Sequence, residues 1–560
     1  MSFLKIKFNT YFYMVAIVAV HHTAPTYAHY TLFGYPLNSP IGISACPLTG
    51  TAQKIREVAR RGYDVITHKT IRSNFHAAHP SPNMFVVDAT AITKNGKNYT
   101  FHKKDLRSLS IDTIADCGDD ISIINSFGID SKNSSQTIED IKESKNALLP
   151  GQLLIVSIYG SGKNRQEQIE DFVKTAGLAV AGGADILEAN FSCPNVGDDQ
   201  TFIYQDPALV HDICNAIHQE YSNIPLIVKV GLFEDVESMK AIFHAAYNGG
   251  ARGICGINTI PVCVVDAIGN PVFGQDRKIS GLSGAALFDV ALAFVQRAAK
   301  IINEENLDLK LFATGGVTCW QQFDQLMAAG ADIVQCATGA LLNEKLAGDY
   351  HDNHTARNHA QRTDLIKRLF HIGAIKLENI LLKSGVVSPI YFDMRVTISH
   401  PTILKQIAQQ LAQLVSCCTF DLICGVPYAA LPIATGVAII GDYPMIMPRK
   451  ETKSHGTRKL IEGVYQKDMV CAVIEDVATT GSSILETIRV LEEHGLVVRD
   501  IFIVVDREQN AVNTMEEHGY HVHALFTITE ILQTLLAEHL ITHKQFATVK
   551  QFCSANQIKA

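Results

Sequence analysis

Val473-Ile-Glu-Asp-Val-Ala-Thr-Thr-Gly-Ser-Ser483 reads as an apolar strand, two carboxylates and a small-residue loop that opens a helix. Small residues let backbone N–H groups curl around a phosphate, and the helix N-terminus adds favourable partial charge. The adjacent acids Glu475 and Asp476 suit ribose hydroxyls, or a magnesium ion through water. An acidic pair before a glycine turn is by itself ordinary capping, so the reading rests on what surrounds it. Apolar strands at 422–426, 445–447 and 501–505 flank the stretch and alternate with helices at 401–415 and 483–494. This alternation predicts a small open α/β sheet occupying residues 364–560.

Upstream, eight short apolar runs are separated by helix-length amphipathic stretches. They fall at 41–45, 65–69, 153–158, 186–191, 226–230, 253–258, 311–314 and 333–336. Eight such units over about 300 residues predict a (β/α)8 TIM barrel spanning residues 30–345. A further apolar run at 121–124 reads as an arm or an inserted strand. Residues 346–363 are polar and read as a linker running into a helix. Its His351, His354 and His359 are taken as solvated side chains rather than metal ligands. Residues 1–29 form an extension in which 11–20, preceded by Lys5 and Lys7, loosely imitates a signal peptide. An over-long start, with folding beginning near Tyr30, is the preferred reading.

The chain has 560 residues, 47% hydrophobic and 19% charged, a globular composition that excludes disordered and collagen-like classes. Its net charge of −8 argues against a broad nucleic-acid surface, which needs a basic footprint. Thirteen cysteines without a C-x-x-C pair indicate neither a zinc ribbon nor a disulfide scaffold, and reduced thiols fit a cytoplasmic compartment. No apolar run reaches the roughly 18–20 residues of a membrane span.

The second unit carries further matching pieces: Leu382-Lys-Ser-Gly385, Ser388-Pro-Ile-Tyr-Phe-Asp393, Gly425-Val-Pro-Tyr428, Arg449-Lys-Glu-Thr-Lys-Ser-His-Gly456 and Asp506-Arg-Glu-Gln509. Four potential cations at 449–455 would repel one another on an isolated surface but suit a polyanion. Together with 473–483 these pieces resemble the type I phosphoribosyltransferases, and among them an orotate phosphoribosyltransferase. The resemblance implies that Lys383 and Tyr428 contact phosphoribosyl pyrophosphate (PRPP) and that Arg507 meets the orotate carboxylate. It implies that Glu475 and Asp476 hold ribose hydroxyls, and that Thr479, Thr480, Gly481, Ser482 and Ser483 hold the 5′-phosphate. Arg449, Lys450, Lys453 and His455 would lie in a loop closing over the pyrophosphate from a neighbouring subunit, with Mg2+ accompanying PRPP. Ala429 stands where many bacterial relatives carry lysine.

At the end of the fourth barrel strand stands Glu188-Ala-Asn-Phe-Ser-Cys-Pro-Asn195. A thiol at the carboxyl mouth of a barrel strand is where chemistry would sit, and the flanking amides suggest a polar planar ligand. Alone, a buried cysteine is more often a small hydrophobe. Matching pieces follow in order: Ser44-Ala45, Thr67-His-Lys-Thr70, Ile124-Asn-Ser-Phe-Gly-Ile129, Val228-Lys-Val230, Gly256-Ile-Asn-Thr259, Ser280-Gly-Leu-Ser-Gly284, Ala313-Thr-Gly-Gly316 and Gln335-Cys-Ala-Thr-Gly339. This set resembles dihydroorotate dehydrogenase of the soluble class, whose base is a cysteine.

That resemblance implies Cys193 as the base. It implies Lys69, Asn125, Phe127, Gly128, Ile129, Asn190, Asn195, Asn258 and Thr259 around orotate. FMN would meet Ala45, Lys69, Lys229 and Gly284, its phosphate lying on Gly315, Gly316, Ala337 and Thr338. Cys46-Pro47, His68 and the Val196-Gly-Asp-Asp199 continuation depart from the family's pattern.

The expectation is a bifunctional pyrimidine-biosynthesis enzyme, a homodimer acting on dihydroorotate, orotate and PRPP without nucleic-acid partners. Its rivals are a barrel acting on another dihydropyrimidine, a tRNA dihydrouridine synthase-type barrel, and a ligand-binding regulatory protein. No iron–sulfur spacing or dinucleotide fingerprint identifies an electron acceptor, so fumarate, a quinone and NAD through a partner stay open.

Overall fold

A computed structural model describes residues 30–88, 93–95, 98–102, 106–107, 121–192, 202–265, 270–381, 385–416, 418–449 and 460–555. Eight parallel strands close into a barrel in chain order: β1 (Ile41–Ile43), β2 (Val65–Ile71), β3 (Leu153–Ile158), β4 (Ile186–Asn190), β5 (Leu226–Lys229), β6 (Gly253–Gly256), β7 (Lys310–Thr314) and β8 (Ile333–Cys336). Closure comes from β8 pairing with β1, Val334 opposite Ile41. Val65, Leu153, Ile155, Ile186, Ile227, Phe312 and Ile333 fill the barrel interior at one end. Leu32 and Leu37, from the hairpin of Tyr30–Leu32 with Tyr35–Leu37, pack onto this cluster. With that end plugged by apolar side chains, polar groups on the strands can serve a ligand only at the opposite, carboxyl mouth.

The run at 121–124 is a strand, Ile121–Asn125, but it belongs to a larger element than the sequence suggests. It sits inside a seven-stranded sheet, pairing antiparallel with Met84–Asp88 on one side and Ile279–Gly284 on the other. Ile260–Val265 and three short strands between residues 93 and 107 complete the sheet. Its members come from two insertions far apart in the chain, after β2 and after β6, so no local pattern announces their pairing.

Residues 346–363 are not an open linker. They form most of one 26-residue helix, α1 (Leu346–His371). Leu346, Ala347 and Tyr350 at its start are buried in the barrel's core, and Leu365, Ile366 and Leu369 near its end in the second core. Between these anchors its polar residues are tied down. Arg357 pairs with Asp324 and lies over the Trp320 ring at 4.9 Å. Arg362 forks onto Glu530, Nε–Oε1 2.8 Å and Nη2–Oε2 2.6 Å. Of the linker histidines, His359 is exposed as expected, whereas His351 and His354 are packed for the same reason. His351 Nε2 meets the Gly62 carbonyl at 2.7 Å, and His354 stacks on Tyr350. Partial burial pushes the His354 imidazole below its ordinary pKa.

The second unit is a six-stranded sheet: β9 (Leu422–Gly425), β10 (Met445–Pro448), β11 (Ile461–Glu462), β12 (Val470–Ala478), β13 (Val497–Asp506) and β14 (His521–Thr527). Spatial order is β11-β10-β9-β12-β13-β14, parallel except for the β10–β11 pair. The sequence pattern misses β11 and β14, one very short and the other a polar-rich edge strand. The predicted helix α2 (Pro401–Val415) is found with those bounds, and α3 (Ser482–Glu493) follows β12. From β9 the chain crosses to β10 on one side and later returns as β12 on the other. That reversal of winding opens a crevice beyond the carboxyl ends of β9 and β12. Among the described residues no helix is long and apolar enough to cross a membrane.

Candidate active sites

A cleft at the carboxyl mouth of the barrel holds about 1290 Å3, including its opening to solvent. Every described barrel residue assigned from the sequence lines it: Ala45, Lys69, Asn125, Phe127, Gly128, Ile129, Asn190, Lys229, Asn258, Thr259, Gly284, Gly315, Gly316, Ala337 and Thr338. Cys193 and Asn195 lie outside the described residues. Ser192, the last described residue before them in the sequence, is held from both sides. Its N–H donates to Asn190 Oδ1 (3.3 Å), and its carbonyl accepts from Asn258 Nδ2 (2.5 Å). Asn190 in turn donates to Thr70 Oγ1 at 3.1 Å, and Thr70 pairs with Ser157 Oγ at 2.9 Å. The Ser192 hydroxyl itself is buried and has no partner among the described residues.

Lys229, at the end of β5, is the central cation of the cleft. Its Nζ donates to Ser44 Oγ at 2.7 Å and lies 3.8 Å from Glu188 Oε1. Glu188 is fully buried, and among the described residues its carboxylate has only the Lys229 ammonium and the Cys255 thiol beside it. The pattern of alternating strand residues contained this signal, since Glu188 and Asn190 share one face of β4, but the sequence reading did not use Glu188. Lys69 pairs with Asp130, tying β2 to the loop 127–130. His68 instead turns away and contacts Asp140, Nε2–Oδ2 3.3 Å, so this departure from the family's pattern falls outside the cleft. Cys46 does line the cleft, where burial pushes its thiol above the ordinary range.

Gly316 (φ +81°) allows the chain after β7 to pass against Phe288; a Cβ there would lie 2.3 Å from the Phe288 backbone nitrogen. Only a residue without a side chain lets the loop pack this closely on Phe288. Thr338 lies at the adjoining turn after β8, its Oγ1 3.1 Å from Ser283 Oγ. In many barrels the last two βα loops hold a phosphate group.

In the second unit, Tyr428 follows β9 and is 64% exposed, at the crevice. The two adjacent acids are not equivalent. Strand alternation sends them to opposite faces. Glu475 is buried, accepting from Ser483 Oγ (2.8 Å) and from the Asp476 N–H (3.0 Å). Burial above all, with the neighbouring Asp476 carboxylate adding, raises its pKa well above the usual carboxylate range. Glu475 thus braces the loop, while half-buried Asp476 is the more available acid. Thr479 to Ser483 form the turn into α3, with Gly481 at φ +81°, and a Cβ there would strike Met515 at 2.4 Å.

Arg507, just past β13, is buried and donates to Ser388 Oγ at 3.2 Å, and its Nε has no partner among the described residues. Two sequence-separated motifs thereby meet. Arg449 donates its backbone N–H to Leu460 O (2.8 Å) and pairs with Glu462 at the β10–β11 base. Lys383, Lys450, Lys453 and His455 lie outside the described residues.

Fold and sites define a two-centre α/β protein, each centre at the carboxyl ends of parallel strands and each with a small-residue phosphate-type loop. A family model described as dihydroorotate dehydrogenase matches residues 112–349. The dihydroorotate dehydrogenase of Dictyostelium discoideum is 37% identical over 327 residues, covering 57% of this chain and 86% of that one. An orotate phosphoribosyltransferase of Caenorhabditis elegans is 38% identical over 187 residues, covering 33% of this chain and 82% of its own length. The uridine 5′-monophosphate synthase of Bos taurus is 40% identical over 198 residues, and the match covers 41% of that longer relative. The chain belongs to the dihydroorotate dehydrogenase family through its barrel and to the orotate phosphoribosyltransferase family through its second unit.

Proposed function

We propose that the chain is a bifunctional enzyme of pyrimidine biosynthesis. The barrel oxidises dihydroorotate to orotate, and the second unit joins orotate to PRPP, giving orotidine 5′-phosphate and pyrophosphate. One observation carries this reading: two families whose reactions share orotate, as product of one and substrate of the other, occupy one chain.

The barrel cleft suits FMN. Gly315, Gly316, Ala337 and Thr338 would hold its phosphate, with Ala45, Gly284, Lys69 and Lys229 against the remainder. Bound there, a flavin supplies two-electron acceptance, which no side chain of the cleft provides. The chain's own part is acid–base and positional. Asn125, Asn190, Asn195, Asn258 and Thr259 orient the planar pyrimidine together with the loop 127–129. Cys193 takes the proton lost as the substrate's double bond forms. In the second centre Asp476 and the loop 479–483 hold the ribose phosphate. Mg2+ arrives with PRPP, and Lys383, Tyr428 and the basic loop face its pyrophosphate. Catalysis there is positioning plus neutralisation of the leaving group.

The direct test is the full chain given dihydroorotate, PRPP, Mg2+ and an artificial electron acceptor. Orotate and then orotidine 5′-phosphate are expected; a flavin-loaded protein that forms no orotate overturns the reading. Arg507→Ala is expected to raise KM for orotate about 10- to 150-fold, because charge-assisted hydrogen bonds contribute about 1.5–3 kcal/mol. KM for PRPP should stay within twofold, and parallel losses for both substrates would assign Arg507 to structure alone.

Lys453→Ala is expected to slow phosphoribosyl transfer about 10²- to 10³-fold, with dihydroorotate oxidation unchanged. If the loop serves a neighbouring subunit, mixing this variant with Asp476→Asn restores activity, since one site then combines both intact parts. No recovery in a mixture shown to exchange subunits would assign each loop to its own chain.

A further inference from the structure

We propose that Cys418, Asp500 and His523 form a binding site for a zinc-like divalent cation at the edge of the second sheet. Asp500 and His523 come from neighbouring strands β13 and β14, and Cys418 from the loop between α2 and β9. One ligand atom from each lies within 4.8 Å of the others. The Cys418 Sγ is 3.8 Å from His523 Nε2, which is 2.9 Å from Asp500 Oδ1.

Zinc holds thiolate sulfur at about 2.3 Å and imidazole nitrogen at about 2.0–2.1 Å, which puts tetrahedral S and N ligands about 3.5–3.6 Å apart. The sulfur–nitrogen pair already has nearly that spacing. The shorter nitrogen–oxygen contact is the hydrogen bond that a metal would replace. The His523 ring is held for this by stacking on Phe502, with centroids 4.8 Å apart and planes at 16°. All three side chains are partly accessible, so an ion can enter, and a water can complete the tetrahedron.

The donor set selects the ion. One thiolate, one imidazole and one carboxylate favour Zn2+ over Mg2+, which takes oxygen ligands. On binding, the Cys418 thiol releases its proton to solvent. His523 gives up the Nε2 proton that bonds Asp500 and, as a neutral imidazole, carries its single proton on Nδ1, leaving the Nε2 lone pair for the metal. Asp500 and His523 lie towards the amino ends of their strands, whereas Asp476 and Arg507 lie at the carboxyl ends. The ion would therefore brace the sheet edge and the α2–β9 loop rather than meet the substrates.

The test uses the full-length protein, stripped by a chelator and titrated with Co2+ as the spectroscopic probe. One equivalent is expected to produce thiolate-to-metal charge-transfer absorption and the visible bands of tetrahedral cobalt. Cys418→Ser should abolish the charge-transfer band, while His523→Gln and Asp500→Asn should each weaken binding at least tenfold. Zn2+ should displace the cobalt, Mg2+ should not, and Cys417→Ser should keep the signal. No charge-transfer band in the wild-type protein, or one that survives in Cys418→Ser or is unweakened in His523→Gln, would overturn the assignment. Circular dichroism of each stripped variant verifies folding, and His523→Gln keeps the question open to an answer should Cys418→Ser fail to fold.

Discussion

The Cys193→Ala protein is expected to retain FMN but to oxidise dihydroorotate about 10²- to 10⁴-fold more slowly, the usual contribution of a positioned general base. The neighbour of Cys193 in the sequence, Ser192, is hydrogen-bonded to Asn190 and Asn258, both of which line the cleft. Only the thiolate accepts a proton, and an ordinary thiol has a pKa of about 8.5. In the wild type, rate should therefore rise with pH towards that value. Cys193→Ser should recover only part of the loss, because a hydroxyl is a far weaker acid than a thiol. Flavin reduction by dihydroorotate in a stopped-flow spectrometer isolates this step from the electron acceptor. Wild-type reduction rates in Cys193→Ala would remove the thiol from the mechanism.

Lys229→Ala is expected to damage both stability and cofactor binding. The ammonium is the cation that pairs with Glu188 among the described residues, and the Glu188 carboxylate is fully buried. Removing one partner of such a pair typically costs about 3–5 kcal/mol, since the remaining charge has lost its compensation. Denaturation of the flavin-free protein can be followed through Trp320, the chain's only tryptophan, on a helix between β7 and β8. Lys229→Ala with Glu188→Gln should regain much of the stability without regaining flavin affinity. If the single substitution leaves the transition unchanged, the pair does not balance as the geometry indicates.

Much of the architecture was legible because both units repeat strong local signals. Each barrel strand is an apolar run followed by a helix-length stretch, and the eight predicted runs correspond to β1 to β8 within a few residues. The phosphate-type loops were equally legible, since Gly316 and Gly481 occupy backbone conformations that side chains rarely adopt. The amphipathic period gave α2 its bounds. It failed for α1, whose middle is held by Arg357 and Arg362 through ion pairs and aromatic rings rather than by an apolar stripe.

By itself the sequence determined the order of strands and helices, the two small-residue loops and the residue types available at each strand end, because these depend on neighbours a few positions apart. Only the tertiary structure decided which of those residues meet. Pairing of Ile121–Asn125 with strands about 40 residues before it and more than 150 after it is a long-range choice with no local signature. The division of labour between Glu475 and Asp476 follows from which face of β12 is packed, which two adjacent acids in a sequence do not reveal. Likewise Arg507 finds Ser388, and Cys418 finds His523, across 119 and 105 positions of chain. Such contacts exist because packing the two α/β cores brings distant loops to one surface, and no spacing within a motif encodes that distance.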